Sequence, residues 1–447
     1  MKIHIDSYDR KACTIIRKLL LAGLQAADPI MAMKKALSVN GSRLVVGGRQ
    51  YDLKKFDRVV CVGAGKASGS MALALEQHLG PRLDGGLVSV KDRSGCPTQT
   101  IRLHEASHPV PDTRSVQAAR EILTFVHSLT RRDLLFVLIS GGASSLLAAP
   151  APGLTLQDKK RTTSMLLRCG ATIHEINVVR KHLSSIKGGQ LASATSATIV
   201  SLVLSDVLGD DLATIGSGPT VPNPSTCLEA REILQHYQIW NRVSSAVRLH
   251  LEKGIKAHMA DTTKRKAKKS ARIHHEIIGN NRLTVEAIAT QAKLEGLNPL
   301  VMTTTLEGEA REAGKMIGAI AREIHASGRP VFRPACVVWG GELTVTVRGN
   351  GKGGRAQELA LSGAMQIVGL PKMYVVGFGT DGSDGPTEMA GALVDGQTVE
   401  RAQKRSLNPI QALTNNDSYG FFEKVGGRIH TGATGTNVND VYILLAL

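Results

Sequence analysis

Two positively charged side chains stand beside glycine-rich loops. Lys66 lies in the segment Val62–Ser68, which follows an apolar run and opens a predicted helix. Arg355 follows Gly353 and Gly354 at the start of another amphipathic pattern. The first turn of a helix carries a partial positive charge, so a cation there is unfavourable unless it faces an anion. We therefore predict that Lys66 and Arg355 are active-site residues that bind phosphate or carboxylate groups.

Glycines and hydroxyls recur in a second loop, Ser140–Ser145, which also follows an apolar run. Backbone N–H groups can approach a phosphate closely where side chains are small, and a helix N-terminus favours an anion. We predict anion binding by both loops, through Gly63, Gly65, Ser68, Ser140, Gly141, Gly142 and Ser144. The alternative is that both loops are ordinary tight strand-to-helix turns. The first loop matches neither the dinucleotide-binding pattern nor a Walker A loop, which weakens its signal.

Two further loops carry aspartates after apolar runs. Asp206 and Asp210 form the first pair, and Asp381 and Asp384 flank Gly382 in the second. Carboxylates suit Mg²⁺ and can accept a hydroxyl proton. We predict that Asp206 is catalytic and favour Asp206 and Asp210 as metal ligands, because they share a domain with both N-terminal glycine loops. The second pair stays open as the metal site. The alternative role is helix capping for the first pair and an ordinary tight loop for the second.

Apolar runs alternate with helical patterns along the 447 residues, which is typical of an α/β protein with a largely parallel sheet. Buried strands are predicted at Arg58–Val62, Leu134–Ile139 and Thr198–Leu204. Parallel strands end at the same edge of a sheet, so the loops that follow them should lie together.

The net charge of +17 suggests a nucleic-acid-binding protein at first sight. However, eight basic residues against Asp261 alone lie in the stretch Lys253–Arg272, which is more typical of a solvated linker. Aromatic residues make up only 3%, so few side chains can stack on bases. Six scattered cysteines and the lack of a long apolar run favour a cytoplasmic protein without nucleic-acid or membrane partners.

The order and spacing of these loops resemble the glycerate 2-kinase family, whose C-terminal part is called the MOFRL domain. The resemblance covers nearly the whole chain and implies ATP-dependent phosphorylation of D-glycerate at its 2-hydroxyl. The family's active-site lysine and arginine match Lys66 and Arg355. The similar blocks are Val62–Ser68, Ser107–Asp112, Ile139–Leu146, Glu175–Leu191, Leu204–Thr226, Gly279–Leu283, Gly340–Glu342, Gly353–Glu358, Gly379–Asp384 and Thr431–Asp440.

We accordingly predict two domains with the active site in the cleft between them. Residues 1–255 form a three-layer α/β domain with a mostly parallel, Rossmann-like sheet. Residues 256–272 form a basic linker, in which the resemblance implies that the lysine-rich stretch 261–272 is longer and more basic than in relatives. Residues 273–447 form an α/β region that contains the MOFRL domain at about 333–441. Further predicted binding residues are Asn177, Lys181, Glu342, Gly354, Asp381, Gly382 and Asp384; the oligomeric state stays open, with a homodimer as one option.

Two other functions are kept as alternatives. The first is an NAD(P)H-dependent reductase of hydroxypyruvate or tartronate semialdehyde, a name given to some members of the family. Lys91 ends the strand after the first loop, where a dinucleotide-binding protein would carry an acidic residue; Asp92 follows one position later, and Lys91 and Arg93 would suit NADP. The second alternative is a nucleotide- or nucleic-acid-binding protein without catalysis.

Overall fold

The computed structural model describes residues 2–92, 96–261 and 272–447. In chain order, its strands are β1 (His4–Ile5), β2 (Leu37–Asn40), β3 (Arg43–Val46), β4 (Arg49–Asp52), β5 (Arg58–Ala64), β6 (Gly85–Lys91), β7 (Ile101–Ala106), β8 (Asp133–Ser140), β9 (Thr198–Leu204), β10 (Ile273–Gly279), β11 (Asn298–Leu306), β12 (Ala335–Gly341), β13 (Met373–Gly379), β14 (Gly391–Asp395), β15 (Arg428–His430) and β16 (Asp440–Ala446).

The α-helices are α1 (Arg10–Ala27), α2 (Pro29–Ala36), α3 (Ser68–Leu79), α4 (Thr113–His127), α5 (Ala143–Leu146), α6 (Leu156–Arg168), α7 (Ile173–His182), α8 (Gln190–Ser193), α9 (Cys227–His236), α10 (Ser245–Asp261), α11 (Asn281–Leu294), α12 (Ala310–Ser327), α13 (Arg355–Gln366), α14 (Thr398–Gln403), α15 (Pro409–Thr414) and α16 (Ser418–Val425). They belong to two compact units: the N-terminal unit, residues 32–278, and the C-terminal unit, residues 1–31 with 279–447.

The N-terminal unit is built on a six-stranded sheet with the order β10-β9-β8-β5-β6-β7. The pairs β7–β6, β6–β5, β5–β8 and β8–β9 are all parallel. Every residue of β8 is buried, as expected of a strand covered on both faces. Strands β2, β3 and β4 form a separate antiparallel sheet in this unit.

Helices cover the large sheet of the N-terminal unit. Ala119, Ile122 and Val126 of α4 belong to one apolar cluster with alternate residues of β5, β8 and β9. Helices α6, α7, α9 and α10 supply a second cluster that includes Leu166 and Leu234. The predicted α/β class with a mostly parallel, Rossmann-like sheet is confirmed for this unit.

The C-terminal unit contains a seven-stranded mixed sheet with the order β1-β15-β14-β13-β16-β12-β11. Strands β11 and β12 are parallel, whereas β16 runs antiparallel to both of its neighbours, β12 and β13. Alternate residues of the central strands point to opposite faces, and each face packs into its own apolar cluster.

The two units divide the chain differently from the predicted ranges. Residues 1–31 belong to the C-terminal unit, where α1 packs so closely on α11 that a methyl at Gly23 would lie 2.9 Å from Ile288. Strand β10 joins the sheet of the N-terminal unit beside β9, rather than opening the C-terminal region. Residues 256–261 continue α10, and most of the predicted linker, 262–271, lies outside the described residues.

Candidate active site

In the N-terminal unit, β5 and β8 end side by side, with Ala64 opposite Ile139 in parallel register. From this pair the sheet extends to β6 on one side and to β9 on the other. A pair of neighbouring strands whose following strands lie on opposite sides is called a topological switch point. The loops after these two strands diverge and open a crevice at the carboxyl edge of the sheet, where doubly wound proteins bind their ligands. The two glycine-rich loops predicted to bind anions both leave this edge.

The first loop holds the second in place. The backbone N–H of Lys66 donates to the Gly141 carbonyl at 2.8 Å, and that of Ala67 donates to Ser140 Oγ at 3.0 Å. Gly65 has φ +144°, and a methyl there would lie 2.0 Å from Ser140 Oγ. Glycine is therefore required because a side chain would separate the loops.

Three backbone N–H groups of the second loop could donate hydrogen bonds to a ligand. Gly142, with φ +85°, precedes the short helix α5, which begins at Ala143. Among the described residues, none accepts a hydrogen bond from the N–H of Gly142, Ala143 or Ser144. Such unpaired N–H groups are suited to an anionic oxygen.

Lys66 lies beside this second loop. Its Cγ is 3.3 Å from the position a methyl would take at Gly142, and the side chain is exposed. Within the described part of the chain its ammonium group forms no ion pair. Because α3 begins at Ser68, Lys66 precedes the helix rather than occupying its first turn as predicted. Its positive charge remains available to a ligand.

Asp206 also reaches the second loop: a methyl at Gly141 would lie 2.0 Å from Asp206 Oδ2. Asp210 follows in the 3₁₀ turn Leu208–Asp210, with φ +58°. The described residues contain no group of three or more His, Cys, Asp or Glu side chains placed to bind a metal.

Further hydrogen bonds connect the second loop to α7. Ser144 Oγ donates to Ser217 Oγ at 2.8 Å, and Ser217 Oγ donates to Asn177 Oδ1 at 3.2 Å. The ammonium group of Lys187 donates to the carbonyls of Ser144 at 2.8 Å and Gly216 at 3.4 Å. Asn177 was among the predicted binding residues but Lys187 was not, although Lys187 precedes two glycines and Lys66 also lies beside glycines.

Burial, with smaller contributions from Lys159 and Arg180, lowers the pKa of Lys187 well below its usual value. The predicted binding residue Lys181 lies on α7, where burial lowers its pKa and Asp211 opposes the shift. A methyl at Gly188 would lie 3.3 Å from Lys181 Cβ, so Lys181 packs near that glycine.

The second predicted cation, Arg355, lies in the C-terminal unit at the first residue of α13. Its Nε donates to Asp440 Oδ2 at 2.5 Å and its Nη2 to Asp440 Oδ1 at 3.2 Å, while Nη1 donates to Glu342 Oε1 at 2.7 Å. Burial raises the pKa of Asp440 to about 7, although Arg355 opposes the rise. Asp440 also accepts from Tyr442 Oη at 2.9 Å.

The sheet explains why these groups meet. Strand β16 lies between β12 and β13 and runs antiparallel to both, so Asp440 is opposite Gly341 and Gly379, the last residues of those strands. Glu342 follows β12 directly, and the Asp381 loop follows β13. Asp440 was not among the predicted site residues, because an aspartate at the start of a strand does not by itself indicate a functional role.

Asp384 has a structural contact in this arrangement. It is buried, and its carboxylate accepts from the backbone N–H groups of Ala356 at 3.0 Å and Gln357 at 2.8 Å. A methyl at Gly354 would lie 2.3 Å from this carboxylate. Asp384 thereby caps the start of α13 and fixes the backbone from which Arg355 extends.

A cavity of about 610 Å³ lies within the C-terminal unit, and Arg355, Asp381, Asp384 and Asp440 line part of it. Asp381 accepts from the backbone N–H and the hydroxyl of Ser383, both at 3.0 Å. Gly382 has φ +89°, and a methyl there would lie 2.0 Å from the Gly432 carbonyl. Of the residues predicted in this unit, Gly354, Arg355, Asp381 and Asp384 therefore line one cavity, whereas Glu342 and Gly382 are not part of its lining.

Two known protein families match parts of this chain. A family described as "Domain of unknown function (DUF4147)" matches residues 15–252, and one described as "MOFRL family" matches residues 335–440. The glycerate 2-kinase of Pyrococcus horikoshii is 42% identical over 429 residues, 96% of each chain. The crystal structure of glycerate kinase from Thermotoga maritima superposes with a TM-score of 0.87 at 38% identity, covering 98% of this chain and all of that chain.

This chain belongs to the glycerate 2-kinase family. A further family member, in Agrobacterium vitis, bears a provisional hydroxypyruvate reductase name; it is 38% identical and covers 98% of this chain and 95% of its own length. The predicted resemblance to the glycerate 2-kinase family and the MOFRL assignment are confirmed.

The structure brings Ser140, Gly142, Lys66 and Asp206 to one edge of the N-terminal sheet. It brings Glu342, Arg355, Asp381 and Asp384 to one region of the C-terminal unit, together with Asp440. In the described part of the chain, no helix has the length and apolar character needed to cross a membrane.

Proposed function

We propose that this protein transfers the γ-phosphoryl group of ATP to the 2-hydroxyl of D-glycerate. The observation that carries the proposal is the near full-length similarity to the Pyrococcus horikoshii glycerate 2-kinase. The positions of Lys66 and Arg355 beside glycine-rich loops support it, because phosphoryl transfer depends mainly on positioning and neutralising charge.

The N-terminal loops supply the groups that an anionic ligand needs. The free N–H groups of Gly142, Ala143 and Ser144 donate to its oxygens, and Lys66 neutralises its charge. Lys187 fixes the carbonyls of Ser144 and Gly216 and so keeps the loop in shape before the ligand arrives.

In the C-terminal unit, Arg355 is already held by Asp440 and Glu342. Its guanidinium carries five N–H donors, so two remain for a phosphate or the glycerate carboxylate. Asp384 positions this arginine by capping α13. We propose that Arg355 neutralises phosphate or carboxylate charge during the transfer.

Asp206 fits a role with magnesium. Mg²⁺ keeps several waters and is commonly bound through one or two protein carboxylates together with substrate phosphates, so a cluster of three ligands is not needed. Asp206 lies against Gly141, beside the proposed anion site, and Asp210 is the second candidate ligand. Bound Mg²⁺ would screen the phosphate charges, and one of the aspartates accepts the proton that leaves the 2-hydroxyl of glycerate.

The reductase alternative finds less support in the N-terminal unit. An acidic residue after the second strand of a dinucleotide-binding domain holds the ribose hydroxyl. Here the carboxylate of Asp92 accepts from both terminal nitrogens of Arg114, at 2.6 and 2.9 Å. Asp92 is therefore engaged by the protein, and Arg93 lies outside the described residues.

The test is a paired assay of the purified protein. ADP release is measured with D-glycerate, ATP and Mg²⁺, and NADH and NADPH oxidation are measured with hydroxypyruvate. We expect ADP release that depends on D-glycerate, and no nucleotide oxidation above the rate without enzyme. Oxidation of either nucleotide without ADP release would replace the kinase proposal with the reductase.

A further inference from the structure

His108 lies against the second glycine loop although it comes from a distant part of the N-terminal unit. It stands between β7 and α4, in a segment with no glycine. A methyl at Gly142 would lie 2.8 Å from His108 Cδ2 and 2.9 Å from Nε2, and 3.3 Å from Lys66 Cγ. The Nε2 edge of the imidazole and the stem of Lys66 therefore face the same glycine.

The ring of His108 is half-buried and has no hydrogen-bond partner among the described residues. Within the described ranges, neither of its nitrogens forms a hydrogen bond. Among the other half-buried histidines of this unit, His78 bonds to the Ala74 carbonyl at 2.7 Å and His274 to Tyr51 Oη at 2.9 Å, whereas the ring of His104 likewise has no hydrogen bond to a described residue. A partly buried polar group without a partner suggests that a ligand or water completes it.

The charges around His108 indicate what kind of ligand this is. Burial, together with the positive charges of Lys66 and Lys91, lowers the pKa of His108 to about 4. The ring is therefore neutral at neutral pH and carries one N–H donor and one acceptor. Beside Lys66 and the free N–H groups of the loop, an anionic oxygen is the partner that suits an imidazole donor.

We propose that His108 Nε2 donates a hydrogen bond to an anionic oxygen of the ligand bound at Gly142 and Lys66, an inference that rests on the proposed function. Both a phosphate of ATP and the carboxylate of D-glycerate offer such an oxygen. His108 is then a ligand-contacting residue, and it identifies which of the two ligands the N-terminal loops hold.

The experiment measures binding of ATP and of D-glycerate separately by isothermal titration calorimetry, with KM values alongside. Three variants are compared: His108→Gln, whose amide nitrogen replaces Nε2; His108→Asn, whose shorter amide replaces Nδ1; and His108→Phe, which keeps a ring without a donor. We expect about tenfold weaker binding of one ligand in the Phe and Asn variants. The Gln variant should stay within about threefold of the parent protein, and the other ligand should bind as before.

The matched control is His78→Gln, since His78 is equally half-buried in this unit but has its partner on its own helix; it should bind both ligands normally. Parent-like binding of both ligands by folded His108→Phe would overturn the inference, as would equal losses in all three His108 variants, because a packing role would explain them. A parent protein that binds these ligands without turnover overturns the proposed function alone and still allows this comparison. One that binds neither overturns both.

Discussion

The two units place their cations in opposite surroundings. Lys66 is exposed beside a loop with free N–H groups, and it forms no ion pair with a described residue. Arg355 is held by Asp440, which is only 5% exposed, and by Glu342. Both residues were predicted from the same pattern of a cation beside glycines. Lys66 has no anionic partner among the described residues, whereas Arg355 has two carboxylate partners. A cation beside glycines thus indicates an anion nearby, but does not say whether the protein supplies it.

This difference predicts that replacing Arg355 lowers both turnover and the free energy of unfolding, whereas replacing Lys66 lowers turnover alone. Arg355→Ala would leave Asp440 buried without its counter-ion. We expect turnover to fall by about 10³-fold or more and the free energy of unfolding to fall by roughly 2–4 kcal/mol. Steady-state rates and urea unfolding measure the two effects. Unchanged stability would show that Asp440 does not depend on Arg355, and the contrast between the units would fail.

Lys66→Ala should affect function alone. Its exposed ammonium group forms no ion pair with a described residue, so the free energy of unfolding should change by less than about 0.5 kcal/mol. Turnover should nevertheless fall by roughly 10²–10³-fold, because charge on the ligand is no longer neutralised. The matched control is Lys54→Ala, another exposed lysine of the same unit, which should behave like the parent. Near-normal turnover of Lys66→Ala removes this residue from the mechanism.

Replacing one aspartate in each unit tests which unit holds magnesium. In Asp206→Asn, the Mg²⁺ concentration for half-maximal rate should rise by about tenfold, because a carboxylate is lost beside the proposed phosphate site. Asp381→Asn should keep the parent's Mg²⁺ dependence and alter glycerate affinity or turnover instead. A shift in Asp381→Asn alone would move the metal to the C-terminal unit. If neither variant shifts, ATP and water hold the ion without either aspartate.

The smallest effect is expected from the basic stretch, whose central part lies outside the described residues. Replacing Lys264, Lys266, Lys268 and Lys269 together by Gln should leave the rate within about twofold, because such charge runs are commonly solvated. A large loss at unchanged stability would show that the stretch belongs to the site.

Local sequence was sufficient to predict most of the N-terminal site. Strands β5, β8 and β9 are apolar runs: β5 and β8 end in Ala64 and Ser140, and β9 is followed by Ser205 and Asp206. Parallel pairing brings their ends together. The position of Lys66 was misjudged by two residues, because helix boundaries depend on hydrogen bonds that a pattern does not show.

Contacts between distant segments were harder to predict. The pattern of α1 shows that it buries one face, but not that the face packs on α11, more than 250 residues later. Asp440 meets Arg355 only because β16 is inserted antiparallel between β12 and β13. His108 follows β7, the edge strand of its sheet, yet it lies beside Gly142, which follows β8; β5 and β6 lie between these two strands. Each of these depends on topology, which a single sequence specifies only indirectly.

The most direct test of the account is the position of the phosphate in the product. D-Glycerate is incubated with the protein, ATP and Mg²⁺, and the product is examined by ¹H–³¹P correlation NMR. The account predicts coupling of phosphorus to the single proton on carbon 2, as in 2-phosphoglycerate. Coupling to the two protons on carbon 3, or no phosphorylated glycerate at all, would contradict it.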